Sequence, residues 1–236
     1  MTNRALFFGR TYAYIGARAG TLQFGMTSTN PTGRRGRLFV IAAPSGAGKT
    51  SLVRALMERA PGLRFSISYT TRQQRPNEEH GRDYFFVSRD DFEAMVARGE
   101  FLEHARVFDN YYGTALGQVE ASLASGQDLI LEIDWQGAQQ IRHALPECCS
   151  IFILPPSRAE LERRLRGRGT DAEDVIQRRL RDAASDMTHW SEFDYVVVND
   201  DFEQALGELQ AIVRGEGTAL RRDRPGLAAL ASSLTQ

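Results

Sequence analysis

A run of small residues, a lysine and a hydroxyl lies in the first quarter of the chain. It reads APSGAGKT over residues 43–50 and stands between an apolar run and a helical pattern. Gly46 and Gly48 allow backbone N–H groups to converge on an anion, because glycine tolerates the turn that this requires. Lys49 adds a charge for phosphate oxygens, and the hydroxyl of Thr50 suits Mg²⁺, so the run predicts a P-loop that binds a nucleoside triphosphate. The predicted nucleotide contacts are Ala43 (where the general pattern has glycine), Pro44, Ser45, Gly46, Ala47, Gly48, Lys49 and Thr50, with Thr50 also the predicted metal ligand.

A second set of phosphate ligands follows in SYTTRQQRPNEEHGRDYFF, residues 68–86. Arg72 and Arg75 lie three residues apart among hydroxyl side chains, and Tyr84 comes after them. Guanidinium forks and hydroxyls bind phosphate well. A single arginine here would be interpreted as solvated surface, but this combination beside a P-loop predicts a second phosphate site.

The elements that would position these residues alternate between strand and helix. The apolar runs LFVIA, DLILEI, SIFIL and YVVV are each followed by a helical pattern. Such alternation predicts an α/β fold with a mostly parallel, buried sheet flanked by helices. Ser157, three residues before Glu160, has the spacing of a capping box at the start of one of these helices.

Residues 69–115 interrupt this alternation and predict a small inserted lobe. YFFV is typical of a strand, Ser88 can cap the helix DDFEAMVAR, Gly99 ends that helix, and FLEHARVF has an extended pattern.

The bulk composition excludes several classes of protein. The 236 residues carry a net charge of −1, so nucleic acid is not the expected partner. No apolar run approaches the roughly 20 residues of a membrane span. The adjacent Cys148 and Cys149 suit a reducing compartment, and the histidines lack metal-ligand spacing. We therefore expect a cytoplasmic protein without a membrane anchor; an oligomer is compatible with the sequence.

The two ends differ from the middle. Residues 1–35 contain five arginines and no acid, which fits either a mitochondrial transit peptide or an over-long start with Met26 as the true first residue. We favour the over-long start. Residues 215–236 are expected to form a frayed tail.

From about Gly36 to Arg214 the chain resembles the guanylate kinases, which transfer a phosphoryl group from ATP to GMP. The resemblance rests on APSGAGKT, the stretch at 68–86, FLEHA, NYYGT, LEIDWQG, RLRGRGT and VVVNDD in the same order. It implies a P-loop kinase core over residues 36–214, a GMP-binding lobe at about 69–115 and a helical lid at about 164–180. It further implies Mg²⁺ as cofactor and ATP and GMP, with dGMP, as substrates.

The resemblance also assigns roles to single residues. It implies that the GMP phosphate is held by Arg72, Arg75, Tyr84 and Tyr112. It implies that Glu103 reads guanine, with Ser68 and Thr114 completing the base contacts. One carboxylate can accept from both N–H donors of guanine, whereas adenine presents a ring acceptor and leaves that carboxylate unpaired.

The remaining assignments concern the strand end and the lid. Asp134 is expected near the acceptor or magnesium, and the choice stays open. The lid arginines implied by the resemblance are Arg164, Arg168 and Arg179, with Arg168 also over the adenine. Asn199 lies where the family has its adenine-side loop. With Lys49 and Arg75, the three lid arginines form the predicted catalytic set.

Phosphoryl transfer depends on in-line positioning and cancellation of charge, and a phosphate oxygen needs no strong base to attack. Two alternatives remain open at this stage. One is a related kinase for AMP or dTMP, against which Glu103, Ser68 and Thr114 argue. The other is a non-catalytic guanylate-kinase-like binding module, against which the intact P-loop argues.

Overall fold

The computed structural model describes residues 33–107, 109–167 and 172–235. Within these ranges the strands are β1 (Leu38–Ala42), β2 (Leu63–Phe65), β3 (Tyr69–Thr70), β4 (Phe85–Phe86), β5 (Phe101–Val107), β6 (Asn110–Ala115), β7 (Asp128–Glu132), β8 (Cys149–Leu154) and β9 (Tyr195–Val198). The helices are α1 (Lys49–Arg59), α2 (Arg89–Ala97), α3 (Leu116–Ala124), α4 (Trp135–Ala144), α5 (Arg158–Arg166), α6 (Glu173–Met187), α7 (Phe202–Arg214) and α8 (Leu227–Thr235).

A five-stranded parallel sheet forms the core, in the order β2-β7-β1-β8-β9. Four of its strands coincide with the four predicted apolar runs, so the α/β class and the parallel sheet are confirmed. Strand β1 is central: it pairs with β7 on one side and with β8 on the other. In such sheets ligands bind at the carboxyl ends of the strands where the winding reverses, which is where the P-loop follows β1.

Both faces of this sheet are covered, which explains its uninterrupted apolar strands. Side chains of β1 alternate between the faces. Phe39 and Ile41 pack with α1 and α7, whereas Leu38, Val40 and Ala42 pack in a second cluster with α5, α6 and α8. The P-loop strand is therefore held rigidly from above and below.

The predicted inserted lobe is a four-stranded sheet in the order β4-β3-β6-β5, with α2 beside it. Ser88 caps α2 by accepting a hydrogen bond from the Asp91 N–H at 3.1 Å, and Gly99 follows the helix with φ of +66°. The strand predicted at YFFV is reduced to the two residues of β4. Strand β5 lies at the edge of the lobe and packs against α4 of the core.

The expectation of a frayed tail was wrong for the described residues of this segment. Arg221 forms a bridge with Tyr195, and α8 packs beside α6 in the core. Leu227, Ala231 and Leu234 are buried at spacings of four and three, which places all three on one face of α8. The short apolar stripe in LAALASSL docks the tail.

The predicted lid region runs from the end of α5 into α6. Ser157 accepts the Glu160 N–H at 3.1 Å and so caps α5, as its spacing predicted. Leu165 and Leu180 are buried in the core, which anchors both helices. Residues 168–171 and the first 32 residues lie outside the described ranges. In the described ranges, no helix combines the length and apolarity needed to cross a bilayer.

Candidate active site

The P-loop wraps a cavity of about 290 Å³ at the carboxyl end of β1. Seven of the eight predicted residues line it; the eighth, Ala47, is buried behind the loop. Gly46 and Gly48 have φ of +91° and +90°, a conformation that glycine adopts without strain. Lys49 is the first residue of α1, and its Nζ donates a 2.6 Å hydrogen bond to the Ile133 carbonyl just beyond β7. The loop has the geometry of an anion cradle with a positive charge beside it.

Asn199 and Arg164 support this loop from behind. The buried side-chain amide of Asn199 donates to the Ala47 carbonyl at 2.8 Å. The Asn199 carbonyl in turn accepts from Arg164 Nη2 at 2.9 Å. Arg164 Nε also donates to Glu160 at 2.7 Å, while Arg164 Nη1 is buried without a hydrogen-bond partner in the described chain. In this conformation neither residue lines the P-loop cavity, although both were predicted to meet the nucleotide.

Thr50 and Glu132 form the oxygen-rich corner of the site. The Thr50 hydroxyl donates to the Glu132 carboxylate at the end of β7. Hydroxyl and carboxylate oxygens are the ligands that Mg²⁺ prefers, and Mg²⁺ bound with phosphates needs only one or two protein ligands. The described ranges contain no cluster of three or more histidine, cysteine, aspartate or glutamate side chains that could hold a metal ion.

A larger cleft of about 720 Å³ opens between α1 and the inserted lobe; we call it the lobe cleft. Its walls include the four residues predicted to hold the GMP phosphate: Arg72, Arg75, Tyr84 and Tyr112. Arg72 is held at 2.7 Å by Glu78 and lies over the Tyr84 ring, 5.4 Å from its centroid. Arg75 has 71% of its side chain exposed, and its Nη1 lies 3.9 Å from Glu78 Oε1.

Tyr84 and Tyr112 both line the lobe cleft. Burial raises the pKa of Tyr84 to about 12, with the charge of Glu132 adding to the effect. Its hydroxyl therefore keeps its proton at neutral pH. Tyr84 and Tyr112 lie edge to face with ring centroids 6.0 Å apart, so both rings border the same part of the cleft.

Glu103 and Thr114 face each other on β5 and β6 and are both buried. The Thr114 hydroxyl donates to Glu103 Oε1 at 2.6 Å. Burial raises the pKa of Glu103 to about 7; the Thr114 hydrogen bond opposes this rise, and the nearby charge of Asp134 adds to it. Ser68 is also buried at the start of β3. The three predicted base-reading residues all belong to the inserted lobe.

Asp134, at the start of α4 in the core, lies next to Glu103 of the inserted lobe. It caps α4 by accepting the Gly137 N–H at 2.8 Å, and burial raises its pKa. A Cβ on Gly137 would lie 2.6 Å from Glu103 Oε2 and 3.2 Å from Asp134 Oδ1, so the two carboxyl groups flank one backbone position. Asp134 also lines the P-loop cavity. It therefore lies between the predicted base site and the P-loop cavity.

The lid arginines are only partly described. Arg168 lies outside the described residues. Arg179 is half-buried on α6, one turn before Asp182 and two turns before Asp186, both of which line the P-loop cavity. Residues at this spacing share a helix face, so Arg179 projects from the face that borders the cavity.

Sequence reasoning overlooked several residues at the site. Glu78 holds Arg72, and Arg54 on α1 lines the lobe cleft. Asp186 borders the P-loop cavity with a pKa that burial raises to about 6, and it accepts the Trp135 indole N–H at 3.0 Å. The acidic residues in NEEH, close to Arg72, could have indicated Glu78. Arg54 and Asp186 are ordinary helix residues, and only the fold shows that their side chains face the site.

Comparison with known proteins decides the family. The guanylate kinase family model matches residues 35–216. The chain belongs to the guanylate kinase family. It is 56% identical over 200 residues to the guanylate kinase of Methylococcus capsulatus, a match that covers 85% of this chain and 98% of that protein. The identity to the guanylate kinase of Escherichia coli K12 is 52% over 202 residues, with the same coverages.

A solved structure agrees with this membership. The crystal structure of guanylate kinase from Anaplasma phagocytophilum matches with a TM-score of 0.65 and 34% identity, covering 84% of this chain and 95% of that one. The P-loop cavity and the lobe cleft described above accordingly belong to a nucleoside monophosphate kinase, and the resemblance noted in the motifs is confirmed.

Proposed function

We propose that the P-loop cavity and the lobe cleft are the donor and acceptor halves through which this guanylate kinase transfers the γ-phosphoryl group of ATP to GMP. The observation that carries the assignment is that the two spaces meet: Thr50 lines both. An in-line transfer needs the donor and acceptor phosphates to approach each other within a few ångströms. Adjoining spaces, each with its own cationic residues, fit that requirement.

On the donor side, the P-loop N–H groups and Lys49 bind the triphosphate. The Lys49 ammonium donates a 2.6 Å hydrogen bond to the Ile133 carbonyl. Phosphate oxygens would replace this neutral acceptor with a charged one, which makes a stronger hydrogen bond. Asn199 contributes indirectly, because its amide fixes the Ala47 carbonyl and so the shape of the loop.

On the acceptor side, Arg72 and Arg75 bind the GMP phosphate with Tyr84 and Tyr112. Glu78 orients the Arg72 guanidinium in advance, which reduces the entropy lost when the phosphate arrives. The attacking phosphate oxygen is already ionised near neutral pH, so no general base is needed. The charge that develops during transfer is compensated by Lys49 and Arg75, joined by Arg168 and Arg179 of the lid, while Arg164 supports the P-loop through the Asn199 carbonyl.

Base recognition is assigned to Glu103, Ser68, Thr114 and Asp134. A buried Glu103 carboxylate accepts from the two neighbouring N–H donors of guanine, and Asp134 lies close enough to share this task. AMP would leave the buried carboxylate facing a ring lone pair, which weakens AMP binding strongly and so makes the site selective for GMP. GMP is therefore the acceptor, and dGMP is expected to serve as well.

Mg²⁺ would be held by the Thr50 hydroxyl and the Glu132 carboxylate, whose oxygen atoms already adjoin. When bound, the ion supplies charge compensation to the phosphate oxygens. We place the enzyme in the cytoplasm, in accord with its free Cys148 and Cys149. Whether it forms oligomers does not enter this assignment.

The decisive experiment measures ADP release from ATP with Mg²⁺ against GMP, dGMP, AMP, dTMP and CMP. We expect turnover with GMP and dGMP, and activities at least a thousandfold lower with the others, as for a site whose buried polar group is left unpaired. Comparable turnover of AMP would contradict the assignment of the base site. Binding of GMP without ADP release would favour a non-catalytic module.

A further inference from the structure

The outer edge of β5 is paired with a side chain. Within the described ranges, strand β5 pairs with β6 on one side and has no neighbouring strand on the other. At His104 both backbone groups are nevertheless hydrogen-bonded to the Gln140 amide of α4. Gln140 Oε1 accepts the His104 N–H at 3.1 Å, and Gln140 Nε2 donates to the His104 carbonyl at 2.8 Å. The amide pairs with the strand as a peptide group of a further strand would.

The residue before His104 is Glu103, the proposed guanine reader. Because side chains alternate along a strand, His104 faces solvent while Glu103 is buried with 3% of its surface exposed. The Gln140 clamp therefore acts on the backbone immediately next to the base-reading carboxylate without touching that carboxylate.

Helix α4 carries the other half of the base site on the same face. Asp134, Gly137 and Gln140 are spaced three apart, which aligns them along one side of the helix. The Glu103 carboxylate lies against Gly137, and Asp134 accepts the Gly137 N–H at 2.8 Å. One face of α4 thus contacts Glu103 in its first turn and, one turn later, forms hydrogen bonds with the backbone of β5.

We propose that Gln140 is a positioning residue for guanine recognition, fixing β5 so that the Glu103 carboxylate stays in register with Asp134. This inference rests on the proposed role of Glu103. The Glu103 carboxylate can accept from both N–H groups of guanine, with Asp134 beside it, only if its position is held to about 0.5 Å. The two hydrogen bonds of Gln140 supply that restraint between lobe and core.

If Gln140 had a purely structural role, its substitution would lower the stability of the protein and would not change the choice of substrate. The two roles separate when GMP is compared with IMP, because hypoxanthine keeps the ring N–H of guanine and lacks its amino group. A displaced carboxylate loses the amino contact, which only GMP offers. The ratio of kcat/KM for GMP over IMP therefore reports the placement of Glu103.

The test uses Gln140→Met, which keeps the length of the side chain and removes its amide, with Gln139→Met as the matched control. Gln139 is exposed on the same helix. We expect kcat/KM for GMP to fall about tenfold, because a displaced Glu103 carboxylate makes weaker contacts with guanine. We expect the GMP-to-IMP ratio to fall about fivefold, with the KM for ATP unchanged and Gln139→Met like wild type.

Glu103→Gln, measured in parallel, tests the base site independently of the role of Gln140. A reduced GMP-to-IMP ratio in both Glu103→Gln and Gln140→Met supports the inference. A reduced ratio in Glu103→Gln alone overturns the role of Gln140 and leaves the base site intact. An unchanged ratio in Glu103→Gln overturns the base site itself, and the inference with it.

Discussion

The carboxyl groups of Glu103 and Asp134 meet at a single backbone position, Gly137, although one belongs to the inserted lobe and the other to the core. A Cβ at that position would come within 2.6 Å of Glu103 Oε2 and 3.2 Å of Asp134 Oδ1. Burial, with the nearby charge of Asp134, raises the pKa of Glu103, and burial raises the pKa of Asp134 although the charge of Lys49 opposes that rise.

GMP binding should depend on pH through Glu103. Its pKa is raised to about 7 by burial, so the carboxylate is increasingly protonated below that pH and loses an acceptor. We expect the KM for GMP to rise as pH falls from 8 to 6. The measurement is the pH profile of kcat/KM for GMP, with Glu103→Gln as the control that isolates this group from the titration of GMP itself. Matching profiles for the two proteins would contradict the prediction.

The same shift predicts a stability effect in the ligand-free protein. A folded-state pKa above the unfolded value means that the native state binds more protons, so stability is lost as pH rises from about 4.5 to 7. Glu103→Gln avoids this loss because its amide stays neutral. In denaturant unfolding, the mutant should gain on the order of 2–3 kcal/mol over wild type between pH 4.5 and pH 8. A pH-independent difference would refute it.

Base choice should respond to Glu103→Gln in a defined direction. The substitution keeps the size of the side chain and turns one acceptor oxygen into an N–H donor. GMP turnover should fall steeply, and discrimination against AMP should narrow, because the amide can donate to the adenine ring nitrogen. The ratio of kcat/KM for GMP over AMP is the measurement, with the KM for ATP as control. An unaltered ratio would remove Glu103 from base reading.

Lys49→Ala should abolish transfer and leave the fold intact. The P-loop turn is made by glycine backbone and is held by Asn199, so its shape does not depend on the lysine side chain. Turnover and the unfolding midpoint would be measured together. An unfolded mutant, or one with turnover close to wild type, would count against the assignment of Lys49 to the phosphates.

Arg75→Lys should fail to rescue phosphate binding, because an ammonium cannot reproduce the two parallel hydrogen bonds of a guanidinium. We expect a loss of transition-state stabilisation of about 2–4 kcal/mol in kcat/KM for GMP. Wild type should bind GMP far more tightly than guanosine, and the mutation should reduce that difference. Equal losses for GMP and guanosine would mean that Arg75 shapes the cleft instead of binding the phosphate.

The sequence predicted structure best where the residues that determine an element lie within a single short segment. β1 with the P-loop, the cap at Ser157 and the helix after Ser88 could all be predicted, because local spacing determined each of them. Strands β2 and β6 and the docked helix α8 were not predicted. The apolar stripe of α8 spans only two turns, and nothing in those nine residues identifies the surface that buries it.

The candidate site divides in the same way. Residue types predicted a triphosphate cradle and a second phosphate site. The support of the P-loop by Asn199 and the pairing of Glu103 with Asp134 depend on segments far apart in the chain. The roles given to Asn199 and Arg164 show the limit most clearly: the resemblance placed them at the nucleotide, whereas their polar groups are largely engaged with Ala47, Glu160 and each other.

The contact between Asn199 and Ala47 has a consequence for how the protein is made. These residues are separated by 152 positions, so the P-loop leaves the ribosome long before the strand that steadies it. A nascent chain that ends before β9 contains the whole phosphate-binding motif but leaves the Ala47 carbonyl unpaired. The P-loop therefore gains the support of Asn199 only late in synthesis, after strands on both sides of β1 have been made.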